Sequence, residues 1–331
     1  MIVSYDTIIY SMRPPFQITP KILSLVAQIS TSLGQLQGVS ATKPPLVLCR
    51  QNRIKTIRNS LAIEGNTLTE GQITALMDGK RVLGPKKEIQ EVLNAIQVYD
   101  QLNQFKPYAT KSFLSAHKIL MQELVQSSGK WRGVNVGVLK GNQVAHTAPK
   151  YTLVPGHMDN LFKYLKNDRE TPLLVKSCVA HYEIEFIHPF EDGNGRMGRL
   201  WQTRLLMEEH PLFEFIPVEV FIKNRQEEYY EALSQSDKLG EATPFIEFSL
   251  EALKEAVNDF SKVVTFETQT VESRLEKAKE FFGKKSFSRK SYREVFKDIS
   301  TATASRDLKE AVDKKILSKK GDQATTVYGF K

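Results

Sequence analysis

The amino-acid sequence predicts a mainly α-helical protein with one short β-hairpin in its body and a small basic three-helix module at its end. Three observations lead there. Apolar residues recur at three- and four-residue steps through most of the first 260 positions, two-residue alternation is confined to one stretch before the tail, and the excess positive charge lies in residues 271–331.

The helical period is carried in turn by KILSLVAQIS, RIKTIRNSLAIE, EIQEVLNAIQVYDQL, KSFLSAHKILMQELV, HMDNLFKYL, PLLVKSCVAHYEIEF, EYYEALS and IEFSLEALKEAVNDF. Thr171 before Pro172 reads as an N-cap followed by proline in the first turn, and Gly65-Asn66 reads as a helix stop. The stretch VNVGVLKGNQVAHTAPKYTLVP instead alternates Val134, Val136 and Val138, then Lys140-Gly141-Asn142, then Val144, as a hairpin with a Gly-Asn turn does. Periodicity fades in SKVVTFETQTVE, which places a linker at 261–272. Beyond it come the helices SRLEKAKEFF and SRKSYREVF, the turn KDIS, the helix TATASRDLKEAVDKKIL, and two extended pieces divided by Lys319-Lys320-Gly321-Asp322. Three helices closed by a hairpin predict a winged helix-turn-helix, with Ser300–Leu308 opening the recognition helix.

Composition narrows the classes. The 331 residues are 41% hydrophobic and 25% charged, with 18 Gly and 14 Pro, which excludes collagen-like, disordered and disulfide-scaffold chains. No apolar run reaches the length of a membrane-spanning helix, and the opening MIVSYDTIIYSMRPPF lacks a signal-peptide pattern, so a cytoplasmic protein without membrane partners is expected. Cys49 and Cys178 lie far apart with no metal-knot spacing and are read as core residues. Of the net charge of +8, residues 271–331 supply +7, from 16 Lys+Arg against 9 Asp+Glu. A basic module after a near-neutral body fits a binder of nucleic acid or of an acidic protein.

The chemistry is concentrated in IHPFEDGNGRMGRLW, residues 187–201. A histidine, a carboxylate and two glycines flanking an asparagine stand between two helices, and Arg196 and Arg199 occupy the first turns of the second. Gly193 and Gly195 lack a Cβ, so consecutive backbone N–H groups can turn toward an anion at a helix N-terminus. Arg196 and Arg199, three apart, share a face, while Met197, Trp201 and Leu205 form the stripe that docks on the core. Asp192 is a hard oxygen ligand suited to Mg²⁺, and His188 titrates near neutrality and suits a general base. Taken singly, a DGNG string is a common surface turn and two arginines a common solvated face. Their fixed order is what points to phosphoryl or nucleotidyl transfer. No Walker-type or dinucleotide glycine loop occurs, nor any His-Glu-x-x-His, and His181 reads as a structural histidine.

HPFEDGNGRMGR resembles the Fic (filamentation induced by cAMP) signature at every specified position from His188 to Arg199, and the resemblance extends to GKWRGVNV, HTAP, NRQEEYYEAL and TPFIEF over roughly residues 45–255. It implies a Fic-type helical bundle with the hairpin near 134–152 as its flap. With it, the expected division is an N-terminal helical region at 1–108 and a catalytic core at 109–262, followed by the winged module at 271–331. It also implies transfer of AMP from ATP to a Ser, Thr or Tyr hydroxyl of a target protein. His188 is then the base and Asp192 the Mg²⁺ ligand. Gly193, Asn194 and Gly195 are the anion hole, and Arg196, Met197, Gly198 and Arg199 complete the nucleotide-binding string. Phe190 anchors the loop. Tyr229 and Tyr230 align with adenine-lining positions, with a packed helix Tyr pair as the equal alternative. Ile184 stands where relatives often carry Phe.

Upstream, Ser60-Leu-Ala-Ile-Glu64-Gly65 resembles the family's inhibitory signature, which implies that Glu64 pairs with Arg199 and keeps the ATP γ-phosphate from settling. A carboxylate in the last helical turn faces the negative end of the dipole and gains from a cationic partner. Removal of AMP from a modified protein and a nucleotide-switched DNA-binding regulator remain alternatives. In the latter, Lys284, Lys285, Arg289, Lys290, Arg293 and Arg306 would meet phosphates. A homodimer is among the assemblies left open.

Overall fold

The computed structural model describes residues 13–39, 44, 46–140, 143–268, 270–283, 285–296, 299–322 and 326–331. The chain forms two compact units, Met1–Asp259 and Phe260–Lys331. The region expected at 1–108 therefore shares one unit with the expected core.

In the first unit the helices are α1 (Pro20–Val39), α2 (Leu46–Ile63), α3 (Glu70–Met77), α4 (Lys86–Asp100), α5 (Thr110–Leu120), α6 (Val154–Asn167), α7 (Leu173–Ile187), α8 (Asn194–Glu209), α9 (Val218–Asn224) and α10 (Gln226–Leu239), and α11 (Thr243–Thr268) begins in it and runs past its boundary. The principal packed pair is α7 with α8, and α2 lies along α9 and against α8. The two central helices are buried nearly all round: Leu174, Val175, Val179 and Ile184 on α7, and Met197, Leu200, Trp201 and Leu205 on α8, are at most 1% exposed. The three- and four-residue steps seen in the α7 sequence therefore do not mark a single buried stripe, because its other faces are buried as well. Phe113, Phe162, Phe190 and Trp201 pack ring on ring between α5, α6, α8 and the loop after α7, with the Trp201 Nε1–H donating to the Pro107 carbonyl at 3.1 Å.

Local chemistry sets the helix ends. Thr69 and Gln72 form a capping box on α3. At the end of α2 the Asn66 N–H reaches the Leu61 carbonyl and the Gly65 N–H the Ala62 carbonyl, a Schellman closure that needs the positive φ of +93° at Gly65. One boundary differs from the sequence reading. Thr171 does not cap α7: Pro172 stands at the cap, and the Asp168 carboxylate instead accepts from the Thr171 hydroxyl and the Glu170 and Thr171 N–H groups. Aspartate two to three residues ahead competes better for those donors than threonine does for the helix.

The hairpin pairs β1 (Gly137–Lys140) with β2 (Gln143–Thr147) antiparallel, with a register shift between Val138 and Leu139. Val134 and Val136 fall before the strand, and Val134 is 54% exposed, so alternation overstated its length. The Gly141-Asn142 turn lies outside the described residues. The linker expected at 261–272 is helical as far as Thr268.

The second unit contains α12 (Val271–Phe282), β3 (Phe287–Ser288), α13 (Arg289–Val295), α14 (Thr301–Asp313), β4 (Leu317–Lys320) and β5 (Val327–Phe330). The strand order β3-β5-β4 is antiparallel throughout, and β3, only two residues long, carried no sequence signal. Leu275, Ala278, Phe287, Tyr292, Ala304, Leu308, Ala311 and Leu317 form its own core. Within it Arg274 is paired at 2.6 Å with the buried Asp307, which also accepts from the Tyr292 hydroxyl.

Candidate active site

The site begins where α7 stops. His188 takes the left-handed conformation (φ +50°, ψ +60°) as the C-cap, donating its N–H to the Ile184 carbonyl. A non-glycine residue there is uncommon, and its neighbours hold it. The His188 Nδ1 lies 3.3 Å from the Glu185 carbonyl oxygen, and the His188 carbonyl accepts from Arg132 Nε at 2.7 Å. A carbonyl only accepts, so Nδ1 carries the proton and the lone pair of the neutral ring sits on Nε2.

The loop is braced from three directions. Asn194 Oδ1 accepts from the Phe190 N–H at 2.9 Å and its Nδ2 donates to the Phe190 carbonyl at 3.0 Å, so this side chain folds the loop rather than reaching a ligand. His117 of α5 stacks on Phe190 at 3.5 Å between ring centroids, donates from Nε2 to the Asp192 carbonyl at 3.0 Å and accepts the Gly129 N–H on Nδ1. Burial pushes its pKa down to about 4, which keeps it neutral. Arg132, 2% exposed, binds the carbonyls of Ile187, His188, Val134 and Pro149, joining the flap to the end of α7.

Helix α8 opens after Gly193, whose φ of +86° favours glycine. Its first intrahelical bond runs from the Met197 N–H to the Gly193 carbonyl, so the N–H groups of Asn194, Gly195 and Arg196 form the orphan first turn. A side chain at Gly195 would have to push aside the tips of three charged side chains. A Cβ there would lie 2.5 Å from Glu64 Oε1 and 3.2 Å from both Arg199 Nη1 and Glu185 Oε1.

The two arginines are buried. Arg196 reaches Asp192 Oδ1 at 3.0 Å and Glu91 at 3.4 Å, and its Nε has no hydrogen-bond partner among the described residues. Arg199 donates from Nε to the Ser60 hydroxyl (3.1 Å) and from Nη2 to the Ser60 carbonyl (2.9 Å) and to Glu64 Oε1 (2.6 Å), while its buried Nη1 has no such partner. Burial would lower its pKa, but the Glu64 charge and those of its other neighbours raise it overall. Glu185 faces the same point. Burial alone would raise its carboxyl, yet the bond and charge of His181 and the charges of Arg199 and His188 bring it down to about 2.

Several expected roles move. Met197 is fully buried and a Cβ on Gly198 would meet the His181 ring, so both side-chain positions face the α7–α8 interface. Tyr229 is 1% exposed and bridges His181 Nε2 (3.1 Å) and Glu185 Oε1 (2.9 Å) from inside the core. Tyr230 is 39% exposed. Cys178 is buried whereas Cys49 is only half-buried. Glu91, His117, Arg132 and Glu185 were not singled out in sequence, although WRG was part of the resemblance.

For a cation, Asp192 is the available ligand. Its hydrogen bonds from Gly193 N–H and Arg196 fall on Oδ1, the side chain is 45% exposed, and no group of three metal-ligating residues occurs among the described residues. One carboxylate fits an ion held mainly by phosphate oxygens and water, as Mg²⁺ is.

A model of the Fic/DOC family matches residues 87–206. A crystal structure of a Fic family protein from Desulfovibrio desulfuricans G20 is 39% identical, covers 96% of this chain and 98% of its own, and superimposes with a TM-score of 0.74. The chain belongs to the Fic family. Fic-1 of Caenorhabditis elegans (residues 134–508) shares the fold at a TM-score of 0.60 and 20% identity. Among curated relatives, protein adenylyltransferase fic-1 of Caenorhabditis briggsae is 28% identical over 242 residues, 69% of this chain and 44% of that protein. A probable protein adenylyltransferase of Aquifex aeolicus is 28% identical over 163 residues, 46% of this chain and 49% of that protein. This Fic protein thus spans about half the length of the curated relatives it matches. No helix among its described residues is long and apolar enough to cross a membrane.

Proposed function

We propose that this Fic protein is a protein adenylyltransferase held in check by Glu64. The observation that carries the reading is the convergence, on the N-terminus of α8, of an orientated imidazole, an orphan first turn and two buried guanidinium groups with unsatisfied nitrogens. The hydroxyl oxygen of a target side chain attacks the α-phosphorus of ATP, its proton passes to His188 Nε2, and the bond to the bridging oxygen breaks to release pyrophosphate. The α8 N–H groups and Arg196 offset the charge that develops on the phosphates. Asp192 would hold Mg²⁺, which when bound neutralises phosphate charge.

Arg199 is the natural seat of the terminal phosphate, and Glu64 occupies it at 2.6 Å. Label from the α-phosphate of ATP tests both parts. His188→Ala is expected to lose transfer by about 10²–10⁴-fold while still binding ATP; retained transfer would refute the assigned base. Glu64→Gly is expected to transfer faster than wild type. If the main activity were removal of AMP with Glu64 aligning water, the same variant would instead lose it.

The second unit we read as a winged helix-turn-helix that binds duplex DNA. The exposed Lys285, Arg289, Lys290, Arg293, Arg306 and Lys309 on and beside α13 and α14 support it; Lys284 lies outside the described residues.

A further inference from the structure

The brake needs something to keep it on. Glu64 sits at the negative end of the α2 dipole, 36% exposed at the side chain, and fraying of the residues after Ser60 would carry it off Arg199. What opposes that is visible in the four last carbonyls of α2. Ser60 C=O accepts from Arg199, and Leu61 C=O closes the Schellman turn. Ala62 C=O accepts Lys223 Nζ at 3.0 Å as well as the Gly65 N–H. Ile63 C=O accepts Gln226 Nε2 at 3.0 Å, with the Tyr230 hydroxyl at 3.5 Å. Lys223 and Gln226 are also bonded to each other at 2.6 Å, so the two donors are set before they meet the helix.

We propose that Lys223 and Gln226 are positioning residues of the Glu64 brake, acting through the cap they place on the last two carbonyls of α2. The inference rests on the adenylyltransferase reading and concerns the regulation of that same site. Three physical points carry it. A helix end in water needs no side chain on its final carbonyls, because water supplies those bonds. Here two side chains, from the end of α9 and the start of α10, converge on adjacent carbonyls. The ammonium is a cation at a helix C-terminus, where it is favourable, and it offsets the local penalty of a carboxylate one residue beyond. The capped carbonyls belong to the two residues immediately before Glu64, whose own N–H is tied to Leu61 C=O at 3.0 Å. Carbonyls and carboxylate therefore move together. Arg199 keeps its Ser60 bonds either way, so loss of the cap frees Glu64 without dismantling the arginine.

The test uses the full chain carrying Lys223→Met with Gln226→Leu, which keeps the stems of both side chains and leaves Tyr230 in place. Amide exchange across residues 61–66 is expected to quicken by about tenfold for the lost bonds. Transfer of α-phosphate label is expected to rise toward the Glu64→Gly level. In the Glu64→Gly background the same pair should leave the rate unchanged, because there is no brake to release. Unaltered exchange overturns the proposal, as does faster exchange with wild-type transfer, which would make the cap merely structural. An equal gain without Glu64 overturns it too. Should Glu64→Gly prove inactive, adenylyl transfer itself fails, and ATP affinity then decides the latch: the pair must tighten ATP binding with Glu64 present and not without it.

Discussion

Arg199 is 2% exposed, and its three guanidinium nitrogens are unequally satisfied. Two are satisfied by Ser60 and Glu64, and the third, Nη1, is turned toward the space at Gly195 with no hydrogen-bond partner among the described residues. A buried charged donor left unpaired is costly, which favours an anion at that point. Glu64 supplies one from the helix that ends beside it. Removing Glu64 therefore has two opposite consequences. Without nucleotide, Glu64→Gly is expected to lower unfolding free energy by about 1–3 kcal/mol, because a buried guanidinium loses its partner while a half-exposed carboxylate is no great loss to solvent. With saturating ATP the deficit should shrink, since phosphate replaces carboxylate and binding stabilises the folded state. Urea titrations with and without ATP and Mg²⁺ check this; an identical ATP effect in both proteins would argue that Glu64 does not compete for the nucleotide's place.

Helix α7 shows what periodicity conceals. Glu183 and Glu185 lie two residues apart in HYEIEF, and sequence alone gives no reason to treat them differently. The fold does. Burial, with the Asp237 charge adding to it, pushes the Glu183 carboxyl up to about 8, whereas Glu185 is brought down to about 2 against the pull of burial. On α9, burial likewise pushes Glu219 up to about 7. A carboxyl whose folded pKa is raised holds its proton more tightly folded than unfolded, so its contribution to stability falls as pH rises from the ordinary value near 4.5 to the folded value. Wild type is expected to lose stability between pH 5 and 8.5, and Glu183→Gln to lose less, by up to a few kcal/mol at about 1.4 kcal/mol per pKa unit. Thermal melts at the two pH values measure it; a parallel loss in both proteins would place the proton elsewhere. The same contrast explains what was legible. His188 to Arg199 could be read because its chemistry is contiguous in sequence. Glu91, His117, Lys223 and Gln226 could not, since each is an ordinary polar residue on its own helix until folding places it against α2, α8 or the loop, and Arg132, in the segment before the hairpin, shows no role until its carbonyl partners close around it. Thr171 and the Val134–Val136 alternation were misleading for the converse reason: a locally sound signal lost to a neighbouring carboxylate or to a shorter strand.

At the scale of the whole molecule, charge and compact units tell one story. Residues 271–331 carry +7 of the net +8, and the boundary near Asp259 separates a near-neutral body from that basic unit. Its helices were legible from their apolar spacing, and the structure fixes each start at a serine or threonine cap, Thr270, Ser288 and Ser300, whose hydroxyl accepts from the third residue on. Its two-residue strand β3 was not, being too short for any period to register. Internal pairing then separates structural from available charge. Arg274 is consumed by Asp307, and Lys314 by Glu272 and Glu310, whereas Arg306 and Lys309 lie on the exposed face of α14, opposite Ala304, Leu308 and Ala311. Arg289 bonds Ser305 at 3.0 Å, which ties α13 to the first half of that helix. An exposed basic face on the third helix is what the DNA reading asks of a recognition helix. If six such cations meet phosphates, the logarithm of duplex affinity should fall with the logarithm of salt at a slope of about −5. In the full chain, Arg306→Ala is expected to make that slope shallower by about one and to weaken binding by a similar factor on unrelated duplex sequences, because a phosphate contact reads no base. Fluorescence anisotropy across a salt series measures both quantities. A chain that shows no binding at low salt, or a slope that ignores Arg306, would turn the basic face toward an acidic protein instead.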